Sequence, residues 1–224
     1  AGTPPQLKGL ELADSVAVDP HKWLYAPLEA GCALVRDASA LRNAFSYHPS
    51  YYSFEGEGIN YYDMGPQNSR GFRALKVWLA LQQAGAAGYR EMIQDDIALA
   101  RYLYDLAVGH PEMEAIPHNL SITTLRYVPP ELYAEMGPKQ AEEYLNELNR
   151  RVLDAMEKSG EAFASNAVID GKYALRFCIV NFRASTGDIE AILKLVARLG
   201  RQIHAELRNW TPTLGESVLR KTGG

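Results

Sequence analysis

Val16, Ala17 and Val18 run into Asp19-Pro20, and Lys22 follows two residues later between His21 and Trp23. The apolar run reads as a buried strand over residues 16–18, and Pro20 ends it because proline has no N–H with which to continue a ladder. Lys22 is thus expected at a strand exit, where the clefts of α/β sheets open. A lysine flanked by two rings is partly desolvated, which raises the neutral fraction able to form a Schiff base with a carbonyl. The same spacing also suits an ordinary surface lysine snorkelling over Trp23.

Around this point the chain predicts a bracket. Ala26-Pro27-Leu28-Glu29-Ala30 turns it, and residues 31–36 read as a second buried strand, so that Lys22 sits on a loop held by two strands. Residues 45–62 then carry Phe45, Tyr47, Tyr51, Tyr52, Phe54, Tyr61 and Tyr62 together with Gly56 and Gly58. No period of 2 or 3.6 runs through them, which predicts a long loop. Such a loop serves either as a lid that excludes water or as an aromatic interface patch.

From residue 72 to 83 the spacing predicts a helix that is apolar around most of its circumference, hence buried or packed on another subunit, and closed by Gly85 and Gly88. A second helix is predicted over 89–108. Beyond Pro111 the pattern becomes strands at 113–116 and 120–128, then a helix opened by Pro138 with Ala141, Leu145, Leu148, Val152 and Met156 on one face. Strands at 163–169 and 173–180 flank the hairpin signal Asp170-Gly171. Ser185 or Thr186 caps a last helix striped by Ile189, Leu193, Val196, Leu199, Ile203 and Leu207. That order, β, β, α, β, β, α, predicts a compact α+β domain with helices on one sheet face.

With 224 residues the chain has room for one large or two small domains, and 47% hydrophobic with 22% charged residues is ordinary globular composition. A net charge of −4 without a basic run supplies no electrostatic reason to expect nucleic acid or an anionic membrane as partner. Cys32 and Cys178 lie far apart in apolar runs, which predicts free thiols buried in the core and a reducing, cytoplasmic compartment. The five histidines are scattered without ligand spacing, so no metal is expected.

Three blocks in order carry a resemblance. They are residues 14–37 around His21-Lys22; Ala44-Phe45 leading to Pro49-Ser50-Tyr51; and Gly65-Pro66-Gln67-Asn68-Ser69-Arg70-Gly71-Phe72-Arg73-Ala74-Leu75-Lys76-Val77-Trp78. Together they resemble the group II pyridoxal-phosphate-dependent amino acid decarboxylases, which include aromatic amino acid, histidine, glutamate and cysteine sulfinate decarboxylases. The resemblance implies an α/β, aspartate-aminotransferase-like (fold type I) architecture. Residues 1–75 would be the end of the cofactor-binding large domain, and 76–224 connecting helices with a small α+β carboxy-terminal domain. It implies pyridoxal 5'-phosphate as a Schiff base on Lys22, with His21 beside the cofactor. Tyr51, on the lid, would be the proton donor to the substrate carbon after carbon dioxide leaves.

Members of that family are about twice as long, and this chain starts at Ala1 without a methionine, so the resemblance implies the carboxy-terminal part of a longer polypeptide. The partners implied are the amino-terminal half, which carries the groups for the pyridine ring, a second copy of the chain in a homodimer with shared active sites, and a small amino acid. Asn68 and Ser69 match substrate-pocket positions, and Arg176 matches an arginine facing the active-site loop. Ser69 points to a phenolic substrate, although Arg70 is followed by Gly71 where aromatic decarboxylases often carry two arginines. Asp19 stands where several relatives place an asparagine near the phosphate. The activity implied is decarboxylation of an L-amino acid, aromatic first and acidic second. Two further readings stay open at this point: oxidative deamination to an aldehyde, which in relatives goes with loss of the loop tyrosine, and a non-catalytic dimerisation fragment.

Overall fold

The computed structural model describes residues 4–49, 58–135 and 138–210, and it divides into two units, Ala1–Arg90 and Glu91–Gly224. In the first unit, β1 (Ser15–Val18) pairs antiparallel with β2 (Cys32–Val35), Ser15 opposite Val35 and Val18 opposite Cys32. The guanidinium of Arg36 clamps the entry to this hairpin by donating to the carbonyls of Glu11 at 2.5 Å and Ala13 at 3.0 Å. The bracket around Lys22 is therefore present, but its strands are not buried. β1 alternates exposed and half-buried residues and β2 is exposed over three of its four, because the described residues supply no layer to pack on these two strands. Cys32 is exposed for the same reason, which corrects the expectation that it is a core residue.

A short helix leads into the ring-rich stretch 45–62 expected to be all loop, and a 3-10 turn lies at its end. Helix α1 (Ala38–Phe45) starts where Asp37 accepts from the Ser39 N–H at 2.9 Å, an N-cap missed by a reading of apolar periodicity alone. A 3-10 turn occupies Tyr61–Met64. Helix α2 (Arg73–Val108) consists of two helical segments that meet at a kink at Gly85 (φ 63°, ψ 172°), in keeping with the two helices expected, while Gly88 stays helical. Glycine is the residue that reaches such a φ without a Cβ penalty. Phe72, Trp78 and Leu79 at the start of α2 are each more than half exposed, so its apolar face is uncovered within this unit.

The second unit has the α+β order that the pattern predicts. Its four antiparallel strands are arranged β3-β4-β6-β5, from β3 (Met113–Asn119), β4 (Ile122–Tyr127), β5 (Ser165–Ile169) and β6 (Lys172–Cys178). Asp170 and Gly171 both take positive φ and close the β5-β6 hairpin, as their sequence signals. A short α3 (Leu132–Glu135) precedes α4 (Pro138–Ser159) and α5 (Thr186–Trp210). Ser185 Oγ accepts from the Asp188 N–H while Asp188 accepts from the Ser185 N–H, a reciprocal cap that starts α5.

The core joins Leu125 and Tyr127 of β4 and Leu175 and Phe177 of β6 to Leu145, Leu148, Val152 and Met156 of α4 and Ile189, Val196, Leu199 and Ile203 of α5. Cys178 alternates onto the opposite face from Phe177 and is exposed, a second correction to the expected buried thiols. β4 and β6 pair only as far as Leu125 and Leu175. Beyond them, α4 replaces the ladder. Asn149 accepts from the Tyr127 N–H at 2.8 Å and donates to its carbonyl at 2.9 Å, and Asn146 accepts from the Tyr173 N–H at 2.6 Å. On the other sheet face Arg126 is fully buried and donates to Glu114 at 2.6 Å and bidentately to Glu142 at 2.8 and 2.9 Å. Burial opposes its charge, but the hydrogen bonds to Glu142 and Glu114 more than offset that and hold the guanidinium protonated.

Candidate active site

Lys22 lies in the turn directly after β1, so the strand-exit expectation holds. Three backbone hydrogen bonds wind this turn: Lys22 N–H to the Asp19 carbonyl at 3.0 Å, Tyr25 N–H to that of Lys22 at 2.9 Å, and Ala26 N–H to that of Pro20 at 3.0 Å. Pro20, Ala26 and Ala30 are buried beneath it. Two side chains of α2 anchor it. The Tyr89 hydroxyl donates to the Leu24 carbonyl at 2.8 Å, and Arg73 meets Glu29 at 2.6 Å. Burial pushes the Tyr89 phenol above its ordinary range, and the hydrogen bond from Arg73 holds the Glu29 carboxyl below its own. The lysine thus stands on a loop whose backbone is fixed at both ends and in the middle.

Of the two readings that the spacing left open, an exposed and a partly desolvated lysine, the structure has the exposed one. Lys22 is 63% exposed and its Nζ donates to Asp19 Oδ2 at 2.6 Å. The turn explains why the flanking rings do not cover it, since successive side chains leave the turn in different directions. His21 Nδ1 lies 2.7 Å from the Ala30 carbonyl oxygen and 3.3 Å from the Ala30 backbone nitrogen, so it donates to the one or accepts from the other according to its tautomer, and no partner reaches its Nε2 among the described residues. The indole Nε1 of Trp23 is buried and has no acceptor among the described residues. The hydrogen bond from Lys22, and then its charge, hold the Asp19 carboxyl below the usual carboxylate range.

Asn68 and Ser69 are exposed in the segment before α2, with Asn68 lining a recess of about 260 Å³ beside Phe45, Tyr47, Pro49, Tyr62, Gly65 and Pro66. Arg176 lies on β6 in the second unit, half-buried, with its guanidinium 3.3 Å from Ser165 Oγ. Tyr51 lies outside the described residues. Lys22 and His21 therefore share one turn, while Asn68 and Ser69 share another segment of the same unit.

Sequence reading overlooked a cluster about the Asp63 carboxylate. Its Oδ1 lies 3.1 Å from both Ser46 Oγ and His48 Nε2. Nothing in the spacing of residues 46, 48 and 63 announces it, since only the return of the chain brings Asp63 back to His48. No group of three or more histidine, cysteine, aspartate or glutamate side chains is placed to hold a metal ion among the described residues. No helix among them is long and apolar enough to cross a membrane.

The pyridoxal-dependent decarboxylase conserved domain matches residues 3–126, which include the strand bracket, the lysine turn and the whole of α2. The chain belongs to the pyridoxal-dependent decarboxylase family. It is 33% identical over 203 residues to the aromatic-L-amino-acid decarboxylase of Bacillus atrophaeus, covering 88% of this chain and 41% of that protein. It is likewise 33% identical over 179 residues to tryptophan decarboxylase 1 of Oryza sativa subsp. japonica, covering 77% of this chain and 34% of that one. The crystal structure of Oryza sativa TDC with PLP and tryptamine superposes with a TM-score of 0.78 at 28% identity, over 88% of this chain and 40% of the other. The chain thus spans about a third to two fifths of the length of the decarboxylases it matches, and it has the mixed α/β architecture of a fold type I segment.

The residues of the lysine turn fit the aldehyde end of the family's cofactor. They offer an exposed primary amine on an immobilised backbone, with an imidazole next to it whose Nε2 is uncommitted among the described residues. A carboxylate 2.6 Å from that amine is the one feature opposed to an anionic ligand.

Proposed function

We propose that this chain is the lysine-bearing and carboxy-terminal part of a pyridoxal-phosphate-dependent decarboxylase that converts an aromatic L-amino acid to its amine and carbon dioxide. The carrying observation is Lys22: an exposed amine at the exit of β1, on a loop tied to α2 through Tyr89 and Arg73, inside the segment matched by the decarboxylase domain. Pyridoxal phosphate, when bound, supplies an electron sink for the pair left behind as the carboxylate departs. The Lys22 amine would hold the cofactor covalently at its aldehyde carbon. His21, its ring fixed by the Ala30 carbonyl, would offer Nε2 to the cofactor, and Tyr51 would deliver a proton to the substrate carbon.

Asn68, Ser69 and Arg176 are assigned to the substrate pocket, and the small Ser69 favours a phenolic ring. Residues 1–75 would end the cofactor-binding domain, and 76–224 would form the connecting helices and the small domain. The uncovered apolar face at Phe72, Trp78 and Leu79 supports an assembly with the amino-terminal half and a second subunit as a homodimer, and a cytoplasmic location is proposed with it.

The test uses the full-length protein with pyridoxal phosphate and follows amine and carbon dioxide release from tyrosine, dihydroxyphenylalanine, tryptophan, glutamate and cysteine sulfinate. Borohydride reduction and peptide mass analysis run in parallel. The expected outcome is turnover of the ring-bearing substrates and a reduced adduct on Lys22, with both lost in Lys22→Ala. Turnover of the acidic substrates alone would overturn the substrate class. Undiminished activity in Lys22→Ala would overturn the central assignment, and an absence of both adduct and turnover would leave a non-catalytic dimerisation segment.

A further inference from the structure

We infer that Asp19 is a positioning residue for Lys22: its carboxylate holds the amine as an ion-paired ammonium until an aldehyde displaces it, and so governs how fast the cofactor is captured. The inference rests on Lys22 being the cofactor lysine. Nζ and Oδ2 are 2.6 Å apart, across three residues of a turn whose backbone is fixed by its own hydrogen bonds and by the buried Pro20 and Ala26. The turn therefore keeps the carboxylate within reach of the amine.

Condensation of Nζ with an aldehyde releases one water and requires the ammonium to lose its surplus proton, since only the neutral amine carries the attacking electron pair. Asp19 is a poor acceptor for that proton, because its carboxyl is held below the usual range, and Nζ is exposed among the described residues, so the proton leaves to water. What Asp19 contributes is a charge that must be parted from the ammonium first.

The neighbouring charges do not relieve it. His21 acts on Asp19 in the same sense as Lys22. Glu29, across the loop, faces His21 and is engaged by Arg73, with Lys76 nearby on α2. Among the described residues both members of the pair are substantially exposed, and a screened pair of this kind slows capture roughly 2- to 5-fold at low ionic strength.

The test follows adduct formation by absorbance in full-length protein stripped of cofactor, with pyridoxal and pyridoxal phosphate as separate probes, and locates the borohydride-reduced adduct by mass. Asp19→Asn, which keeps the shape and removes the charge, is expected to take up both aldehydes roughly 2- to 5-fold faster near pH 7. Capture of pyridoxal by the unaltered protein should quicken with added salt and that by Asp19→Asn should not, while Asp19→Glu should retain slow, salt-sensitive capture. Equal rates in Asp19→Asn, with the adduct still on Lys22, overturn the positioning role and leave the proposed function standing. Acceleration confined to pyridoxal phosphate also overturns it, because Asp19 would then act by repelling the phosphate. No adduct on Lys22 in any of the proteins overturns both this role and the reading beneath it.

Discussion

Asn149 shows how one side chain can substitute for a strand. Fully buried on α4, it satisfies both backbone groups of Tyr127 and donates to the Leu145 carbonyl at 2.9 Å, at the point where β4 and β6 part. Asn149→Ala would leave a buried N–H and a buried C=O of Tyr127 without those partners, each costing about 1–3 kcal/mol. The expected loss is roughly 2–4 kcal/mol in urea unfolding, whereas Asn146→Ala, at a half-buried position, should cost less. The residue type was readable in the sequence, since a polar residue on the apolar stripe of α4 asks for a buried partner. Its partner was not, because Tyr127 lies 22 positions away and is brought there by the sheet. The same holds at Lys22, whose place after a strand followed from Val16-Ala17-Val18 and Pro20 but whose contact with Asp19 rather than with rings depended on how the turn aims its side chains.

Helix α5 approaches β4 closely enough to exclude a methyl group. Gly200 faces the ring of Tyr127, and a Cβ there would overlap the ring's carbon atoms. The flexible end of a side chain could move away, but Tyr127 is held at its hydroxyl by Glu112 and at its backbone by Asn149. Gly200→Ala is therefore expected to destabilise the protein by about 1–3 kcal/mol despite alanine's better helix propensity, read as a lower unfolding midpoint. Glycine in the middle of an apolar stripe hinted at a close approach, although the pattern did not say which element it approaches. Gly85 and Gly88 make the complementary case. Both look like helix ends, yet only Gly85 uses a positive φ, because the residues on either side of Gly88 are strong enough helix formers to carry the helix through it.

The charge map of the second unit sets its acid limit. Glu112 accepts from Arg201 at 2.6 Å and from the Tyr127 hydroxyl at 3.1 Å, and the Arg201 hydrogen bond chiefly holds its carboxyl below the ordinary range against the opposing effect of burial. A carboxyl whose folded value is depressed stabilises the fold fully above its unfolded value, near 4.5, and loses that contribution as pH falls through the folded value. Unfolding free energy should accordingly decline as pH drops below about 4.5, and Glu112→Gln should lessen that decline by about 1 kcal/mol in denaturant titrations at about pH 5 and pH 3. The positions of acids and bases along the chain do not foretell such a pairing, since Glu112 and Arg201 are 89 residues apart.

What the sequence determined by itself is local or periodic. The lysine at a strand end, the Asp170-Gly171 hairpin, the Ser185 cap and the apolar stripes of α4 and α5 each depend on residues within one or two turns of each other, so backbone geometry and side-chain alternation suffice to read them. The order of elements then restricted the second unit to a sheet covered by helices. What only the tertiary structure decided is which surfaces are covered and which charges meet. Cys32 and Cys178 look like core residues in their runs but are exposed, because burial depends on what packs over a strand and not on the strand's own composition. The Asp63 cluster and the Arg126 ion pairs arise likewise from chain reversals that bring groups together in space. Periodicity carries no information about such meetings, because Coulomb attraction and hydrogen bonding depend on distance through space rather than on separation along the chain.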